Sequence, residues 1–274
     1  MNYIDLAIEI IKKESFLCIG LDSAKDKIPS CLQNNEDPVF EFNKQIIDST
    51  HDLVVAYKIN LAFYESQGTE GWSSLDKTVR YLKNFPEVLI IADAKRGDIG
   101  NTSAEYAKAF YEKLNFDAIT IAPYMGIDSV TPFLAFENKW AILLAITSNE
   151  GANDFQFNYL PDNQEYLYEQ VIRKSLKWGN EKNMMYVVGA TQAEHLVRVR
   201  KLAPKHFLLI PGVGAQGGNL VDVAKYGMNK SCGLIVNSSR AIIYASNQEN
   251  FAIVAREKAV ELQQEMKTLL KQYL

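Results

Sequence analysis

The sequence from residue 93 to residue 98 reads Asp-Ala-Lys-Arg-Gly-Asp and directly follows an apolar run. Asp93 and Lys95 are two positions apart, so on an extended strand both side chains would point to the same side. Asp98 follows Gly97, where the chain can turn. With Lys58, at the end of an earlier apolar run, these residues predict a cluster of alternating ammonium and carboxylate groups. A solvated run of surface charges is the alternative interpretation.

Such a cluster is suited to proton transfer beside a carboxylate. Carboxylates within about 4–6 Å of an ammonium favour its charged form, so Lys95 would stay protonated and could donate a proton. A protein carboxylate crowded against a substrate carboxylate would repel it, and loss of the substrate group as carbon dioxide would relieve the repulsion. The pattern therefore indicates decarboxylation as the candidate chemistry.

A second motif, Gly-Val-Gly-Ala-Gln-Gly-Gly, occupies residues 212–218. Glycines such as Gly217 and Gly218 let backbone amides approach a phosphate, and a helix starting there would present free amides and a positive dipole end. Arg240, after the next apolar run, could hold the same anion through two hydrogen bonds. Gln216 could reach from the phosphate to the body of the ligand, although a surface glutamine in a plain tight loop is the alternative.

The same glycines also satisfy the pattern Gly-x-Gly-x-x-Gly at Gly212, Gly214 and Gly217. A dinucleotide-binding site would require an acidic residue about twenty positions further on. Here the next strand ends in Asn-Ser-Ser-Arg instead. An NADP site that uses Arg240 stays open as an alternative.

Eight short apolar runs recur along the chain, and most are continuous rather than alternating, which indicates strands buried on both faces of a parallel sheet. The runs are Phe16–Leu21, Leu53–Ile59, Val88–Ala92, Ala118–Ala122, Ala141–Ile146, Met184–Val188, Phe207–Ile210 and Leu234–Val236. Amphipathic segments between them supply the crossover helices that parallel strands need. These predicted helices are Glu41–His51, Thr102–Leu114, Glu165–Trp178, Gln192–Leu202 and Asn250–Leu274, and Thr102-Ser-Ala-Glu predicts a capping box.

Eight strand–helix units predict an α/β fold, a single (β/α)₈ TIM barrel that spans residues 1–274 as one domain. An open, doubly wound sheet is the alternative. In a parallel barrel the carboxyl ends of the strands meet at one mouth. Asp22 and Ser148 follow the first and fifth runs, so we expect them to join the charged cluster there; the segment 149–163 is expected to be a long loop near this mouth.

The composition limits the classes of binding partner and the cellular compartment that we expect for this chain. The 274 residues carry 29 basic and 33 acidic side chains, and the net charge of −4 argues against a general nucleic-acid binder. Three scattered cysteines and three scattered histidines predict neither disulfides nor a metal cluster. We find no signal peptide and no apolar run of membrane-spanning length, so we expect a cytoplasmic protein that does not enter the membrane.

The segment Asp93–Ile99 resembles the Asp-x-Lys-x-x-Asp signature of orotidine 5′-phosphate decarboxylases. Lys58 and Asp22 resemble the family's lysine on strand two and aspartate on strand one. Residues 211–218 with Arg240 resemble its phosphate loop and arginine. The segments 122–126 and 147–149 resemble the longer bacterial branch, and the similarity runs from about residue 20 to residue 244.

The resemblance implies conversion of orotidine 5′-monophosphate to uridine 5′-monophosphate without metal or organic cofactor, in a homodimer with shared active sites. It implies that Lys95 delivers the proton to C6, that Asp93 lies near the leaving carboxylate, and that Lys58 and Asp98 complete the charge network and contact the ribose. The remaining implied contacts are Asp22 and Thr102 to the ribose, Ser148 to the pyrimidine, and Gln216, Gly217, Gly218 and Arg240 at the phosphate. Asp98 and Thr102 would come from the partner subunit.

Two further alternatives stay open. A related magnesium-dependent decarboxylase of sugar-phosphate keto acids shares the Asp-x-Lys-x-x-Asp pattern, but it is expected to carry a metal-binding acid where Lys58 stands. A non-catalytic sensor of a phosphorylated ligand would bind uridylate without turning over orotidylate.

Overall fold

Strands built from bulky apolar residues form a closed barrel in this computed structural model, which describes residues 1–190, 193–212 and 219–274. In their order around the barrel, the strands are β1 (Leu17–Gly20), β2 (Ala56–Asn60), β3 (Leu89–Arg96), β4 (Ala118–Ile121), β5 (Trp140–Ile146), β8 (Met184–Val188), β9 (Leu208–Pro211) and β10 (Leu234–Ser238). All neighbouring strands are parallel, and β10 pairs back onto β1. The predicted TIM barrel is confirmed, and each of the eight apolar runs forms one strand.

Helices cover the outside of the barrel because parallel strands bury both faces. They are α1 (Tyr3–Lys13), α2 (Pro38–Thr50), α3 (Ala62–Glu65), α4 (Gly68–Leu82), α5 (Gly100–Lys108), α6 (Thr131–Leu134), α7 (Leu167–Ser175), α8 (Ala193–Leu202), α9 (Leu220–Gly227), α10 (Arg240–Ile243) and α11 (Phe251–Tyr273). A π-helical turn, Ala109–Lys113, continues α5. None of the helices in the described part of the chain is long and apolar enough to cross a membrane.

Helix α1 closes the amino-terminal end of the barrel. Its first amides are capped by the side chain of Asn2. The ring of Tyr3 packs against Phe207 at a centroid distance of 5.0 Å, and its hydroxyl donates to the carbonyl of Lys205. Trp140 reaches the same place and donates from its indole nitrogen to the carbonyl of Met1. The opposite, carboxyl-terminal end of the barrel is thereby left as the open mouth.

The capping box predicted at Thr102 is wrong. Helix α5 begins two residues earlier, at Gly100, with Ile99 as its N-cap residue and no side-chain cap. The carboxylate of Asp98 accepts a hydrogen bond from the amide of Ile99 at 2.7 Å. Because the helix begins at Gly100, Thr102 lies inside the first helical turn and not at the cap.

The predicted helical start at Glu165 is also wrong. Residues Glu165–Tyr166 form strand β7, which pairs antiparallel with β6 (Tyr159–Leu160), and α7 begins only at Leu167. The connecting residues include Pro161-Asp-Asn, which favours a turn. Gln164 adopts the left-handed conformation, with φ of 54°. The segment 149–163 is therefore an ordered excursion with the short 3₁₀ helix Glu150–Asp154 and half a hairpin, rather than a plain loop.

Candidate active site

A cavity of about 330 Å³ opens at the carboxyl-terminal end of the barrel. This volume lies within the range of small-molecule sites. The side chains around it come from the ends of all eight barrel strands or the loops that follow them. They include Asp22, Lys58, Asp93, Lys95, Thr120, Ser148, Val187, Gly212, Asn237 and Arg240.

Asp93 joins both lysines of the predicted cluster. Lys58 Nζ donates to Asp93 Oδ2 at 2.8 Å, and Lys95 Nζ donates to Asp93 Oδ1 at 2.6 Å. Asp22 Oδ1 lies 3.7 Å from Lys58 Nζ on the other side. The charges of Asp22, Lys58, Asp93 and Lys95 therefore alternate in sign along the cluster.

Burial and pairing act in opposite directions on the ionisation of this cluster. Burial by itself would lower the pKa of Lys58, but the carboxylates of Asp93 and Asp22 outweigh burial and raise that pKa above its ordinary value. Burial would raise the pKa of Asp93, but the ammonium groups of Lys58 and Lys95 outweigh it and lower the pKa to about 2. Asp93 and Lys58 are thus both charged at neutral pH.

Lys95 reaches the cluster through an irregularity in β3, not through plain strand alternation. Strand pairing with β4 shifts register between Ala92 and Arg96, and Lys95 itself has φ of 47°. The side chain of Lys95 is 51% exposed, whereas that of Lys58 is 6% exposed. Both lysines line the cavity, and Lys95 is therefore the more accessible of the two.

Asp98 and Thr102 do not join the cluster within one chain. Asp98 forms no ion pair with Lys58 or Lys95 in the described structure, and Thr102 is exposed on the first turn of α5. Neither residue lines the cavity formed by the described residues. The prediction that they act in a partner subunit is untested by these contacts.

The predicted phosphate and base contacts lie partly inside the described structure. Ser148 lines the cavity at the end of β5, and Arg240 lines it at the start of α10. Arg240 is exposed and makes none of the ion pairs found among the described residues. Gly212 adopts φ of 93° at the start of the glycine-rich segment. The predicted residues Gln216, Gly217 and Gly218 lie outside the described residues.

Two residues at the mouth were missed from the sequence. Thr120 is 1% exposed and bonds both to Asp93 and to the backbone of Lys95. The one feature of the sequence that could have identified Thr120 is its hydroxyl in the otherwise apolar run Ala118–Ala122. Gln156, from the segment 149–163, accepts from the amide of Thr147 and donates to its hydroxyl, both at 2.8 Å. No local pattern in the sequence distinguishes Gln156 from a surface glutamine.

A wider groove, about 1220 Å³, lies beside α1 at the other end of the barrel. Tyr3, Phe136, Arg200 and Met228 are among its lining residues. Within the described ranges, none of the predicted site residues lines this groove, although it is the larger of the two. Size alone is therefore a poor guide here, because the paired charges that suit proton transfer all lie in the smaller cavity.

Comparisons with known proteins identify the family of this chain. Residues 15–252 match the family described as Orotidine 5'-phosphate decarboxylase / HUMPS family. The chain is 59% identical to the orotidine 5'-phosphate decarboxylase of Phocaeicola vulgatus, over 99% of this chain and 100% of that protein. It is 60% identical to the protein of the same name from Flavobacterium johnsoniae, over 96% of each chain. The solved Leishmania donovani OMP decarboxylase superposes with a TM-score of 0.83 at 36% identity, over 98% of each chain. The resemblance inferred from the motifs is confirmed, and the chain belongs to the orotidine 5′-phosphate decarboxylase / HUMPS family.

Proposed function

We propose that this chain converts orotidine 5′-monophosphate to uridine 5′-monophosphate, the last step of de novo pyrimidine nucleotide synthesis. The observation that carries the proposal is the sharing of Asp93 between Lys58 and the solvent-facing Lys95 at the barrel mouth. The activity is assigned to one domain that spans residues 1–274.

The proposed reaction breaks the bond between C6 of the pyrimidine and its carboxylate. Carbon dioxide leaves, and the electron pair that remains at C6 takes a proton from the ammonium of Lys95. Lys95 is left neutral and regains its proton from water. The Asp93 carboxylate, with a pKa of about 2, stays negative and repels the substrate carboxylate before it leaves.

Charge develops on C6 with no cofactor in the proposed mechanism to accept it, so the protein must offer preorganised charge in a dry pocket. Lys58 is nearly inaccessible and is held by two carboxylates. We infer that it holds Asp93 in place, so that Lys95 is the group free to approach the substrate.

The proposal places the nucleotide with its phosphate at Arg240 and residues 216–218, its ribose at Asp22, and its pyrimidine at Ser148. Support comes from Arg240, whose charge is unneutralised by any carboxylate of the described structure and borders the cavity. Contacts to the remote phosphate would supply binding energy away from the reacting carbon. A phosphorylated nucleotide does not cross a bilayer unaided, so a cytoplasmic location accompanies this proposal.

We also propose a homodimer in which Asp98 and Thr102 complete the partner's site. Support comes from an exposed apolar patch beside them, formed by Ile99, Tyr124, Met125 and Ile127, which are 58%, 89%, 46% and 47% exposed. The loops are neighbours, because Ser103 in α5 donates to the carbonyl of Ser129. Contiguous apolar patches of this kind often mark protein interfaces.

The decisive experiment follows the loss of orotidylate absorbance with purified protein in chelator-treated buffer. We expect turnover, with uridylate and carbon dioxide formed in equal amounts. Uridylate binding without turnover would instead support a phosphate-ligand sensor. Activity that requires added magnesium and a sugar-phosphate keto acid would support the related metal-dependent lyase.

A further inference from the structure

The register shift in β3 interrupts its backbone pairing with β4. Ala92 pairs with Ile119, but the next pair joins Arg96 to Ile121, so residues 93–95 form a bulge opposite a single residue, Thr120. A bulge of this kind re-aims side chains and interrupts the ladder of backbone hydrogen bonds. Because residues 93 and 95 are both in the bulge, its shape decides where the carboxylate and the ammonium point.

The amide of Lys95 is one of the groups that the bulge removes from the ladder. It donates instead to the hydroxyl of Thr120 at 2.9 Å. Lys95 has φ of 47°, a left-handed conformation that residues other than glycine adopt at an energetic cost. Thr120 is 1% exposed, so its hydroxyl is the partner that satisfies this amide in a place with little room for water.

The same hydroxyl is bonded to the charged cluster. A hydroxyl has one proton, and since Thr120 accepts from the Lys95 amide, it uses its proton to donate to Asp93 Oδ1 at 3.1 Å. That oxygen also accepts from Lys95 Nζ. One side chain thus joins the backbone of the lysine to the carboxylate that its ammonium contacts.

We propose that Thr120 is a positioning residue, whose hydroxyl holds the bulge of β3 in the one shape that directs Asp93 and Lys95 together into the cavity. The inference rests on the proposed decarboxylation, because it is the placement of the proton donor that gives the bulge its function. Thr120 acts through these two residues.

Arg96, at the end of the bulge, makes contacts that do not involve Thr120, and we expect these contacts to hold the strand when the hydroxyl is removed. Arg96 Nη1 donates to the carbonyl of Ala94 at 2.9 Å. The Arg96 guanidinium pairs with Glu65 and lies over the rings of Tyr106 and Phe110. We therefore expect Thr120→Val to fold, with Asp93 and Lys95 displaced rather than lost.

The test compares Thr120→Val, which keeps the volume and removes the hydroxyl, with Thr120→Ser, which keeps the hydroxyl. A displacement near 1 Å at a reacting group costs on the order of 100-fold in rate. We expect kcat of Thr120→Val to fall by about that factor while the Kd for uridylate changes less than about threefold, and Thr120→Ser to stay within about threefold of the parent in both. The matched control is Thr50→Val, which removes an equally buried hydroxyl bonded to Ile46 and Tyr57. Its kcat should equal that of the parent.

An unchanged kcat in Thr120→Val, or a Thr120→Ser variant as slow as Thr120→Val, overturns the inference. Should Thr120→Val not fold, amide hydrogen exchange at Lys95 in the parent protein decides: strong protection supports the bond to Thr120, and exchange at the rate of an exposed amide refutes it. A parent protein that does not turn over orotidylate refutes the proposed function instead. The hydrogen-exchange result tells the two failures apart.

Discussion

At the scale of single residues, Lys95 combines two properties that a proton donor needs. Its ammonium is paired with Asp93 at 2.6 Å, and its side chain lines the cavity and is 51% exposed. Lys58 is also paired with Asp93, but its side chain is only 6% exposed. This difference in exposure, not the charge alone, separates a donor from a residue that orients its neighbour.

Lys95→Ala should lose turnover by many orders of magnitude because Lys58, the other ammonium of the described cluster, is only 6% exposed and is held by Asp93. Nucleotide binding should persist, since the proposed phosphate and ribose contacts remain. Orotidylate turnover and the Kd for uridylate, measured on the same preparation, check both statements. Normal turnover would reject Lys95 as the donor, and Lys95→Arg serves as a control that keeps the charge but donates a proton poorly.

His206 is a buried residue with no part in the proposed chemistry. It lies just before β9, with its ring 5.4 Å from that of Tyr186. Neither ring nitrogen has a hydrogen-bond partner in the described part of the chain. Burial lowers the pKa of His206 to about 4. The folded protein therefore keeps this imidazole neutral well below the pH at which a free histidine takes up a proton.

This depressed pKa should make stability fall as the solution is acidified. Between about pH 6.5 and pH 4 the unfolded chain binds a proton at His206 and the folded chain does not, so the free energy of unfolding decreases with falling pH. At pH 4.5 the loss should be about 2 kcal/mol relative to pH 7. His206→Phe keeps a ring at this position but cannot titrate. Urea unfolding at pH 4.5 and at pH 7 should show that this variant loses about 2 kcal/mol less stability on acidification than the parent. Equal pH dependence in the two proteins would refute the assignment.

At the scale of elements, the ends of β5 and β8 approach closely beside the cavity. A Cβ added to Gly189, directly after β8, would lie 3.0 Å from both the backbone nitrogen and Cα of Ser148. Gln156 holds the preceding residue, Thr147, from the other side. The position of Ser148 thus depends on a glycine in one loop and a glutamine in another.

Gly189→Ala should displace Ser148 and weaken substrate binding, because the atoms that the new methyl meets are backbone and cannot swing away. Overpacking of this kind costs about 1–3 kcal/mol of stability. We expect KM for orotidylate to rise about tenfold, as a lost or misplaced hydrogen bond of about 1.4 kcal/mol would cause. Gly227→Ala is the control, because its methyl would meet the flexible end of Leu234 at the other end of the barrel. A KM equal to the parent's would show that Ser148 tolerates the change.

At the scale of the whole molecule, the barrel brings together charges from distant parts of the chain but leaves Asp98 and Thr102 outside its own cavity. The apolar patch around Tyr124 lies on the same side of the barrel as these two residues. A two-fold dimer would bury the patch and carry each pair of polar residues to the opposite mouth.

Mixing two inactive variants tests this arrangement. A heterodimer of Lys95→Ala with Asp98→Ala has one site with both mutations and one site with neither. After random exchange of subunits at equal amounts, about a quarter of the parent activity should return, since half of the dimers carry one intact site. The control is Lys95→Ala mixed with Lys58→Ala, in which both residues belong to the same subunit's site and no activity should return. Absence of recovery after verified exchange would contradict shared sites.

The order of the strands and the identity of the charged groups could be predicted because their signals are local. An apolar run marked each barrel strand, and Asp93 and Asp22, which follow the runs that end at Ala92 and Leu21, stood where a parallel barrel exposes its chemistry. Two helix starts were predicted wrongly, because the helix at Thr102 begins earlier and Glu165 belongs to a short hairpin.

How the charges meet depends on contacts between strands that are distant in the sequence. The bulge of β3 is a shift in its pairing with β4. Thr120, whose hydroxyl accepts from the amide of Lys95 in this bulge, is 25 residues away from Lys95 along the chain. Contacts of this kind depend on the register between strands, which composition and periodicity do not encode within a short window. The groups available at the mouth follow from the residue types at the ends of the apolar runs. The sharing of Asp93 by two lysines follows from the closure of the barrel, because closure aligns strand ends from distant segments.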